Sequence, residues 1–397
     1  MNHHYTLSIN FVNVVKGIFL AVFILVAIFS LTAILTSLKP EYRLSSDSIY
    51  HATYHMSGRT LYKAFALEHK IFMNDEEGEA PSFSETFFTL ATNIRIKDPR
   101  SLLGRELPGF AIFDSKILVA DEGTNYTNMP IESYPPEEVF QEGNEAELQN
   151  IDNLDKDNNA SDPDGEAPSL TTGEEKVVHI YFTHNRESFL PYLKGVDDPN
   201  GAMHSEINVT KIGDHLKKHL EDRGIGTNVD KTDIYGNLMK KNLSYRSSYN
   251  ESRALVKEVM AQNKSLQYFI DIHRDSQRKD VTTINMNNES YAKVAFVIGG
   301  EHANYEKNAK LAKELHAALN KKYKGISRGV IMQKGAGTNG KFNQDLSQNG
   351  LLLEFGGVDN TFEELERTAK VFAEIFSEYY WQAEKVNHPS AKPANKK

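Results

Sequence analysis

Residues 17–38 form an apolar run, and this run limits the possible structure and location of the chain more than any other feature. The run has 22 residues and contains no charged side chain. At about 1.5 Å of rise per residue, a helix of this length crosses the roughly 30 Å hydrocarbon core of a bilayer. A cleaved signal peptide usually has an apolar core of only about 7 to 15 residues. A helix buried in a soluble domain fits less well because the run is apolar on every face. We therefore predict a transmembrane anchor.

The charges beside this run do not settle its orientation. Lys16 lies on the N-terminal side, whereas Lys39 and Arg43 lie on the other side, so the positive-inside signal is weak. The chemistry of the C-terminal half, described below, is the reason to expect that half outside the cytoplasm.

The rest of the chain divides by composition and charge. The net charge is −9, and the acidic residues are concentrated in the stretch 135–176, which has few large apolar side chains. Such a stretch buries too little surface to offset the entropy of ordering, so we predict a disordered, extended linker. The predicted organisation is listed in chain order: a tail at 1–16, the anchor at 17–38, a small mixed extracytoplasmic domain at 42–134, the acidic linker at 135–176, a catalytic domain at 177–385 and a disordered tail at 386–397.

Two features of composition limit the possible function. The chain has no cysteine, so disulfides, thiolate metal ligands and cysteine nucleophiles are all excluded, and a metal would have to bind His and carboxylate side chains. No cluster of basic residues interleaved with aromatic residues is present, so a nucleic-acid partner is not expected.

The C-terminal half alternates strand and helix patterns. Apolar, β-branched runs at 177–184, 266–273, 291–300 and 351–357 are typical of buried strands, and residues with helical spacing separate them. This alternation predicts an α/β domain, with a mostly parallel sheet that has helices on both faces. Ligands of such sheets bind at the carboxyl ends of the strands.

Three of these predicted strands end with residues that a metallohydrolase requires. His184 and Glu187 follow the first, His273 ends the second, and Glu354 lies in the last. Catalytic zinc commonly has three His or carboxylate ligands and one open position. We therefore predict that His184, Glu187 and His273 bind Zn²⁺. Glu354 is the predicted general base, which takes a proton from the attacking water and returns it to the leaving nitrogen.

Other polar residues near these strands are weaker candidates. Glu206, close to the first helix of the domain, could replace Glu187 as the carboxylate ligand. Arg274 and Asp275 directly follow His273 and could orient the ligands or the substrate. His215 and His219 lie on a polar helical stripe and are expected on the surface.

Several motifs, in order along nearly the whole chain, resemble the stage II sporulation protein P family of endospore-forming Gram-positive bacteria. They are TSLKPEYRLSSDS, DPRSLLGRELPGF, TNYTNMP, YFTHNRESFLP, YFIDIHRDS and LLLEFGGVDN. The acidic stretch lies outside the resemblance. Where a motif closer to YHTHNTE is expected, the chain has YFTHNRE, and Arg186 in place of a small polar residue could alter contacts with the substrate.

The resemblance implies a zinc-amidase α/β fold and an N-acetylmuramoyl-L-alanine amidase that also has endopeptidase action on peptide cross-links of peptidoglycan. It implies a role in septal wall degradation and engulfment, in the septal space outside the cytoplasmic membrane, together with stage II sporulation proteins D and M. By motif, the family's metal ligands correspond to His184, Glu187 and His273, and its catalytic glutamate corresponds to Glu354.

Two other functions are compatible with the same residues. Zinc carboxypeptidases share the order His-x-x-Glu, distant His, later Glu, and need a cationic pocket for the terminal carboxylate of the substrate. Arg253, Arg274 and Arg328 could form such a pocket. An inactive scaffold that only holds peptidoglycan would be expected to lack a ligand or the base, and this chain has all four residues.

Overall fold

The structure is a computed structural model. It describes residues 115–130, 132, 134–135, 145–151, 168, 170–335 and 338–387, together with residue 22 alone. Apart from residue 22, the predicted anchor lies outside the described residues, as does the predicted small domain up to residue 114. Within the described part, no helix has both the length and the apolar character needed to cross a bilayer.

Most of the predicted elements of the C-terminal half are present. The described strands are β1 (Lys116–Ala120), β2 (Val178–Tyr181), β3 (Thr227–Val229), β4 (Tyr268–Asp275), β5 (Thr283–Met286), β6 (Glu289–Ala292), β7 (Val294–Gly299), β8 (Ser327–Gln333) and β9 (Gly350–Gly357). The described helices are α1 (Thr210–Glu221), α2 (Ile234–Lys240), α3 (Ser248–Gln262), α4 (Lys279–Thr282), α5 (Tyr305–Lys322) and α6 (Phe362–Asn387). The α/β prediction is confirmed, whereas the β5–β6 hairpin and α2 were not predicted.

Seven strands form one sheet in the order β1-β8-β7-β9-β4-β2-β3. Strands β2, β3, β4 and β9 run parallel to one another, but β7 pairs with β9 in the antiparallel direction, and β1 pairs with β8 in the same way. The sheet is therefore mixed. A buried strand has the same apolar composition in either direction, so the sequence pattern alone could not show that β7 and β8 are reversed.

Alternation along the strands separates two faces of the sheet. On β9, Leu351, Leu353 and Phe355 point into the main core, where α1, α5 and α6 pack. Leu352 points to the opposite face, where it packs with Tyr249 of α3. Helices therefore cover both faces, as predicted. Side chains on one strand alternate in direction with period two, so Glu354 lies on the same face as Leu352.

The described residues just before the acidic stretch belong to this sheet. Strand β1 pairs with β8, and Met129 packs against Ala295 and Ile331. The described residues from 115 onward accordingly form one compact unit. Residues 115–130, which were predicted to be part of the small domain, lie in this unit. Backbone pairing of an edge strand depends little on side-chain composition, so the sequence pattern did not reveal it.

Two described segments of the predicted disordered linker, 145–151 and 170–176, are also packed on this unit. Leu148 forms a β-bridge with Leu193, and the main-chain N–H of Gln149 donates to the carbonyl of Tyr192. At the other end, the N–H of Thr172 donates to the carbonyl of Gly224. These main-chain contacts order parts of an acidic stretch whose composition predicts disorder. Residues 152–167 lie outside the described part.

The surface location expected for His215 and His219 is wrong. Each is only 8% exposed, because α6 packs against α1 and covers their side of the helix. His215 Nδ1 lies 3.7 Å from a carboxylate oxygen of Glu366 on α6. The polar stripe on α1 is therefore buried against a helix that follows it by more than 140 residues in the sequence.

His179 on β2 is fully buried, and its burial should make the stability of the protein depend on pH. Burial lowers its pKa from 6.5 to about 4, although the charges of Asp230 and Asp271 oppose this shift. At pH values between these limits the unfolded chain binds a proton that the folded chain does not. Stability is therefore lost as the pH falls, by about 2 kcal/mol from this group between about pH 7 and about pH 5.

Urea unfolding at the two pH values, on the protein and on His179→Gln, measures this contribution. The variant should lose about 2 kcal/mol less than the parent over the same pH change. Comparing the two pH sensitivities cancels the other groups that titrate in this range. An equal pH sensitivity in both proteins would show that His179 is not the group responsible.

Candidate metal centre

The predicted site residues converge at one edge of the sheet. His273 and Glu354 are direct partners in the parallel register of β4 and β9. His184 follows β2, and the N–H of Glu187 donates to its carbonyl at 3.0 Å, which closes a tight turn. All four side chains are buried, with exposures between 1% and 4%. The carboxyl ends of β2, β4 and β9 lie side by side because these strands are parallel.

The two histidines have matching surroundings. Their ring centroids are 5.1 Å apart. His184 Nε2 lies 2.8 Å from Glu132 Oε1, and His273 Nε2 lies 3.2 Å from Asp271 Oδ1. Asp271 is itself held because its carboxylate accepts hydrogen bonds from the N–H and the hydroxyl of Thr183. Each ring therefore has its Nε2 near a carboxylate, but only His184 forms a hydrogen bond there; the ring nitrogens without a hydrogen-bond partner among the described residues are His184 Nδ1 and His273 Nε2.

The Nδ1 atom of His273 lies near the predicted carboxylate ligand. His273 Nδ1 is 3.9 Å from Glu187 Oε2. His184 Nδ1 is buried and has no hydrogen-bond partner among the described residues. The same Glu187 oxygen accepts a hydrogen bond of 2.9 Å from the main-chain N–H of Arg274. A buried ring nitrogen without a partner costs free energy unless a ligand uses its lone pair.

Electrostatics of the site favour a cation. Burial raises the pKa of Glu354 well above its ordinary value; His273 lowers it, and the carboxylates of Asp275, Glu187 and Glu132 raise it further. Burial lowers the pKa of His273, but the surrounding carboxylates outweigh burial and raise it to about 10. Negative charge is thus in excess in a buried place, which is the environment that a divalent cation neutralises.

The donor set suits zinc. Two imidazole nitrogens and a carboxylate are the ligands of many catalytic zinc sites, and a carboxylate on the second ring nitrogen, as Glu132 is on His184, orients such a histidine. His184, Glu187 and His273 would hold the ion. Glu206 is exposed and its N–H donates to His204 Nδ1, so the structure favours Glu187 over Glu206 as the carboxylate of this set.

Glu132 is a site residue that the sequence did not indicate. Together with His184 and His273 it offers donor atoms that all lie within 4.8 Å of one another. Burial raises the pKa of Glu132, but the hydrogen bond from His184 and the charges of His184 and His273 outweigh it and lower the pKa to about 2. Glu132 precedes His184 by 52 residues in a segment without helix or strand periodicity, so no local pattern marks it.

The three flanking residues have separate structural roles. The Arg186 side chain pairs with Asp233 at 2.7 Å and lies 4.5 Å from the centre of the Tyr235 ring, at the rim of the site. Arg274 positions Glu187 through its main chain, whereas its guanidinium donates to main-chain carbonyls in the 199–202 turn. Asp275 forms a buried ion pair with Arg328.

Comparison with solved structures finds loose similarities. Cwp6 from Clostridium difficile aligns over 51% of this chain at 14% identity and a TM-score of 0.31. A metallo-carboxypeptidase from Burkholderia cenocepacia aligns over 54% of this chain at 12% identity and a TM-score of 0.34. The alignments span 29% of the first of those chains and 60% of the second.

Comparison by sequence gives a much stronger match. The family model of stage II sporulation protein P matches residues 97–377, a range that includes β1 and Glu132 as well as the rest of the sheet. Stage II sporulation protein P of Bacillus subtilis strain 168 is 50% identical over 393 residues, which is 98% of this chain and 97% of that relative. The chain therefore belongs to the stage II sporulation protein P family.

Proposed function

We propose that this protein is a zinc-dependent peptidoglycan hydrolase. It is an N-acetylmuramoyl-L-alanine amidase with endopeptidase action on cross-links, and it degrades the septal wall during engulfment in sporulation. One observation carries the proposal: His184, Glu187, His273 and Glu354 meet in a buried site where His184 Nδ1 has no hydrogen-bond partner in the described structure. Membership of the family supports the context of sporulation.

The residues of the site have distinct tasks in this reaction. His184, Glu187 and His273 would hold zinc. When bound, zinc polarises the scissile carbonyl and lowers the pKa of water at the site. Glu354 accepts a proton from the water whose oxygen attacks the carbonyl carbon. As the carbon–nitrogen bond breaks, Glu354 returns that proton to the leaving nitrogen, which departs as an amine. Hydrolysis thus needs no serine or cysteine nucleophile.

The arginines argue against a carboxypeptidase. Arg253 forms a two-point pair with Asp345, with both distances 2.6 Å. Arg328 is paired with Asp275, and the guanidinium of Arg274 donates to main-chain carbonyls. A pocket for a terminal carboxylate requires a guanidinium that faces the substrate. All three guanidinium groups bond to other parts of the protein. The structure therefore favours a substrate that is cleaved at an amide bond within a larger molecule.

The setting of the reaction is part of the same proposal. The apolar run at residues 17–38 would anchor the chain in the cytoplasmic membrane with the hydrolase outside, where its peptidoglycan substrate is found. Stage II sporulation proteins D and M are the proposed protein partners. Nucleic acid is not among the proposed partners, because the sequence has no cluster of basic residues interleaved with aromatic residues.

Product analysis tests the proposal. Purified peptidoglycan is digested with residues 103–397, with and without a chelator, and the products are identified by mass. Release of intact stem peptides that stops with the chelator is the expected result. Release of single terminal residues would instead indicate a carboxypeptidase. If no product forms even with added zinc and with the full chain, the hydrolase proposal is wrong and the scaffold explanation is favoured.

His273→Ala tests the ligand set without measuring activity. The protein should bind about one zinc per chain, and the variant should lose nearly all of it because one of three protein ligands is gone. Metal analysis after dialysis measures this content. His302→Ala is a matched control, since His302 is also buried but follows the far end of β7. Full zinc content in His273→Ala would mean that His273 is not a ligand.

A further inference from the structure

Glu132 has an environment that connects it to the metal centre. Its Oε1 lies 2.8 Å from His184 Nε2 and accepts a hydrogen bond of 2.6 Å from the hydroxyl of Tyr249. Its side chain is only 10% exposed. A carboxylate is rarely buried unless its partners offset the loss of hydration. These partners are the His184 ring, Tyr249, whose own ring stacks on His273 with a centroid distance of 6.2 Å, and Tyr134, whose hydroxyl donates to Glu132 Oε2 at 2.9 Å.

The pairing of Glu132 with His184 resembles that of Asp271 with His273, although only the first is a hydrogen bond. In both pairs a carboxylate lies beside Nε2, at 2.8 Å for His184 and 3.2 Å for His273. A carboxylate on one ring nitrogen fixes the tautomer and the orientation of a metal-binding histidine and increases its basicity. With the proton of His184 on Nε2, its buried Nδ1 carries the lone pair. That is the nitrogen without a hydrogen-bond partner in the described structure.

We propose that Glu132 is a positioning residue of the zinc site, which holds His184 so that Nδ1 binds the ion. This inference rests on the proposed zinc-dependent function. It assigns a part of the catalytic centre to a segment that precedes the acidic stretch, so the hydrolase would not be complete in a fragment that begins at residue 177.

Several contacts keep Glu132 in place. Three side chains donate hydrogen bonds to successive main-chain carbonyls just before it: Arg328 to Asn128, Gln277 to Met129 and Gln333 to Pro130. After it, the ring of Tyr134 packs edge-on against His184 and Tyr245, with centroid distances of 6.5 and 6.1 Å. The segment is thus anchored on both sides of Glu132, as a residue that must hold a metal ligand in one orientation requires.

Zinc affinity of residues 103–397, measured by competition with a chelator, tests the proposal. Glu132→Ala should bind zinc about 10- to 100-fold more weakly than the parent. Glu132→Gln can still accept the Nε2–H bond but has no charge, so its affinity should lie between the two. The matched control is Glu147→Ala, because Glu147 also precedes β2 in the chain but pairs with exposed Lys194. Its affinity should equal that of the parent.

Cobalt(II) in place of zinc gives a second readout. The visible spectrum of Glu132→Ala should keep the shape of the parent spectrum, since the number of ligands is unchanged. A spectrum that indicates one ligand fewer would overturn the positioning role and make Glu132 a direct ligand. Unchanged zinc affinity in Glu132→Ala would overturn the inference altogether.

Failure of the proposed function would look different, because the parent protein itself would then bind no zinc. Thermal melting of each apo protein checks that the variants are folded. If Glu132→Ala does not fold, the zinc affinity of the nearly isosteric Glu132→Gln tests the proposal by itself. An affinity equal to that of the parent then counts against the proposal, and a several-fold loss supports it.

Discussion

Glu354→Gln should reduce the rate of peptidoglycan hydrolysis by about 100- to 10,000-fold while the zinc content stays the same. The amide has the same size as the carboxylate and can still form hydrogen bonds, but it cannot accept the proton of the attacking water. Glu354 is the register partner of His273 and lies in a buried site. The rate of stem-peptide release, measured by mass analysis, and the zinc per chain are the two readouts.

Glu366→Gln is a suitable control for this experiment. Glu366 lies on α6, and its partner His215 lies on α1 in the helical layer on the other side of the sheet. That variant should hydrolyse peptidoglycan at the parental rate. Near-normal turnover in Glu354→Gln would remove Glu354 from the mechanism. Loss of zinc together with loss of activity would show that Glu354 contributes to metal binding rather than acting as the base.

Asp275→Ala should lower the free energy of unfolding by about 3 to 5 kcal/mol. Asp275 is 0% exposed and Arg328 is 3% exposed, so the substitution leaves a guanidinium charge buried without its carboxylate. The remaining bond from Arg328 to the carbonyl of Asn128 does not compensate for the charge. Urea unfolding of the apo protein measures the difference.

A second variant separates the buried charge from the lost contacts. Asp275→Ala combined with Arg328→Met should recover part of the stability, because removal of both partners of a buried pair costs less than removal of one. The control is Glu147→Ala, whose exposed pair with Lys194 should contribute less than about 1 kcal/mol. A loss in Asp275→Ala as small as in this control would show that water already reaches the Arg328–Asp275 pair.

Local sequence predicted much of the catalytic unit because its elements have strong periodic patterns. The apolar runs predicted as strands at 266–273 and 351–357 correspond to β4 (Tyr268–Asp275) and β9 (Gly350–Gly357). The four candidate residues His184, Glu187, His273 and Glu354 meet because β2, β4 and β9 are parallel. Their order in the chain and the apolar runs before them were enough to predict that they lie together at one edge of one sheet.

The periodic elements, the residue types available for a metal and their order along the chain can be taken from the sequence alone. That β7 and β8 run opposite to β9, that β1 completes the sheet and that Glu132 bonds to His184 are visible only in the folded protein. Periodicity indicates which side of a helix or strand is buried, and it depends only on neighbouring residues. Strand direction, edge pairing and contacts across 52 residues depend on backbone hydrogen bonds and packing between distant segments, which leave no repeating pattern in the sequence.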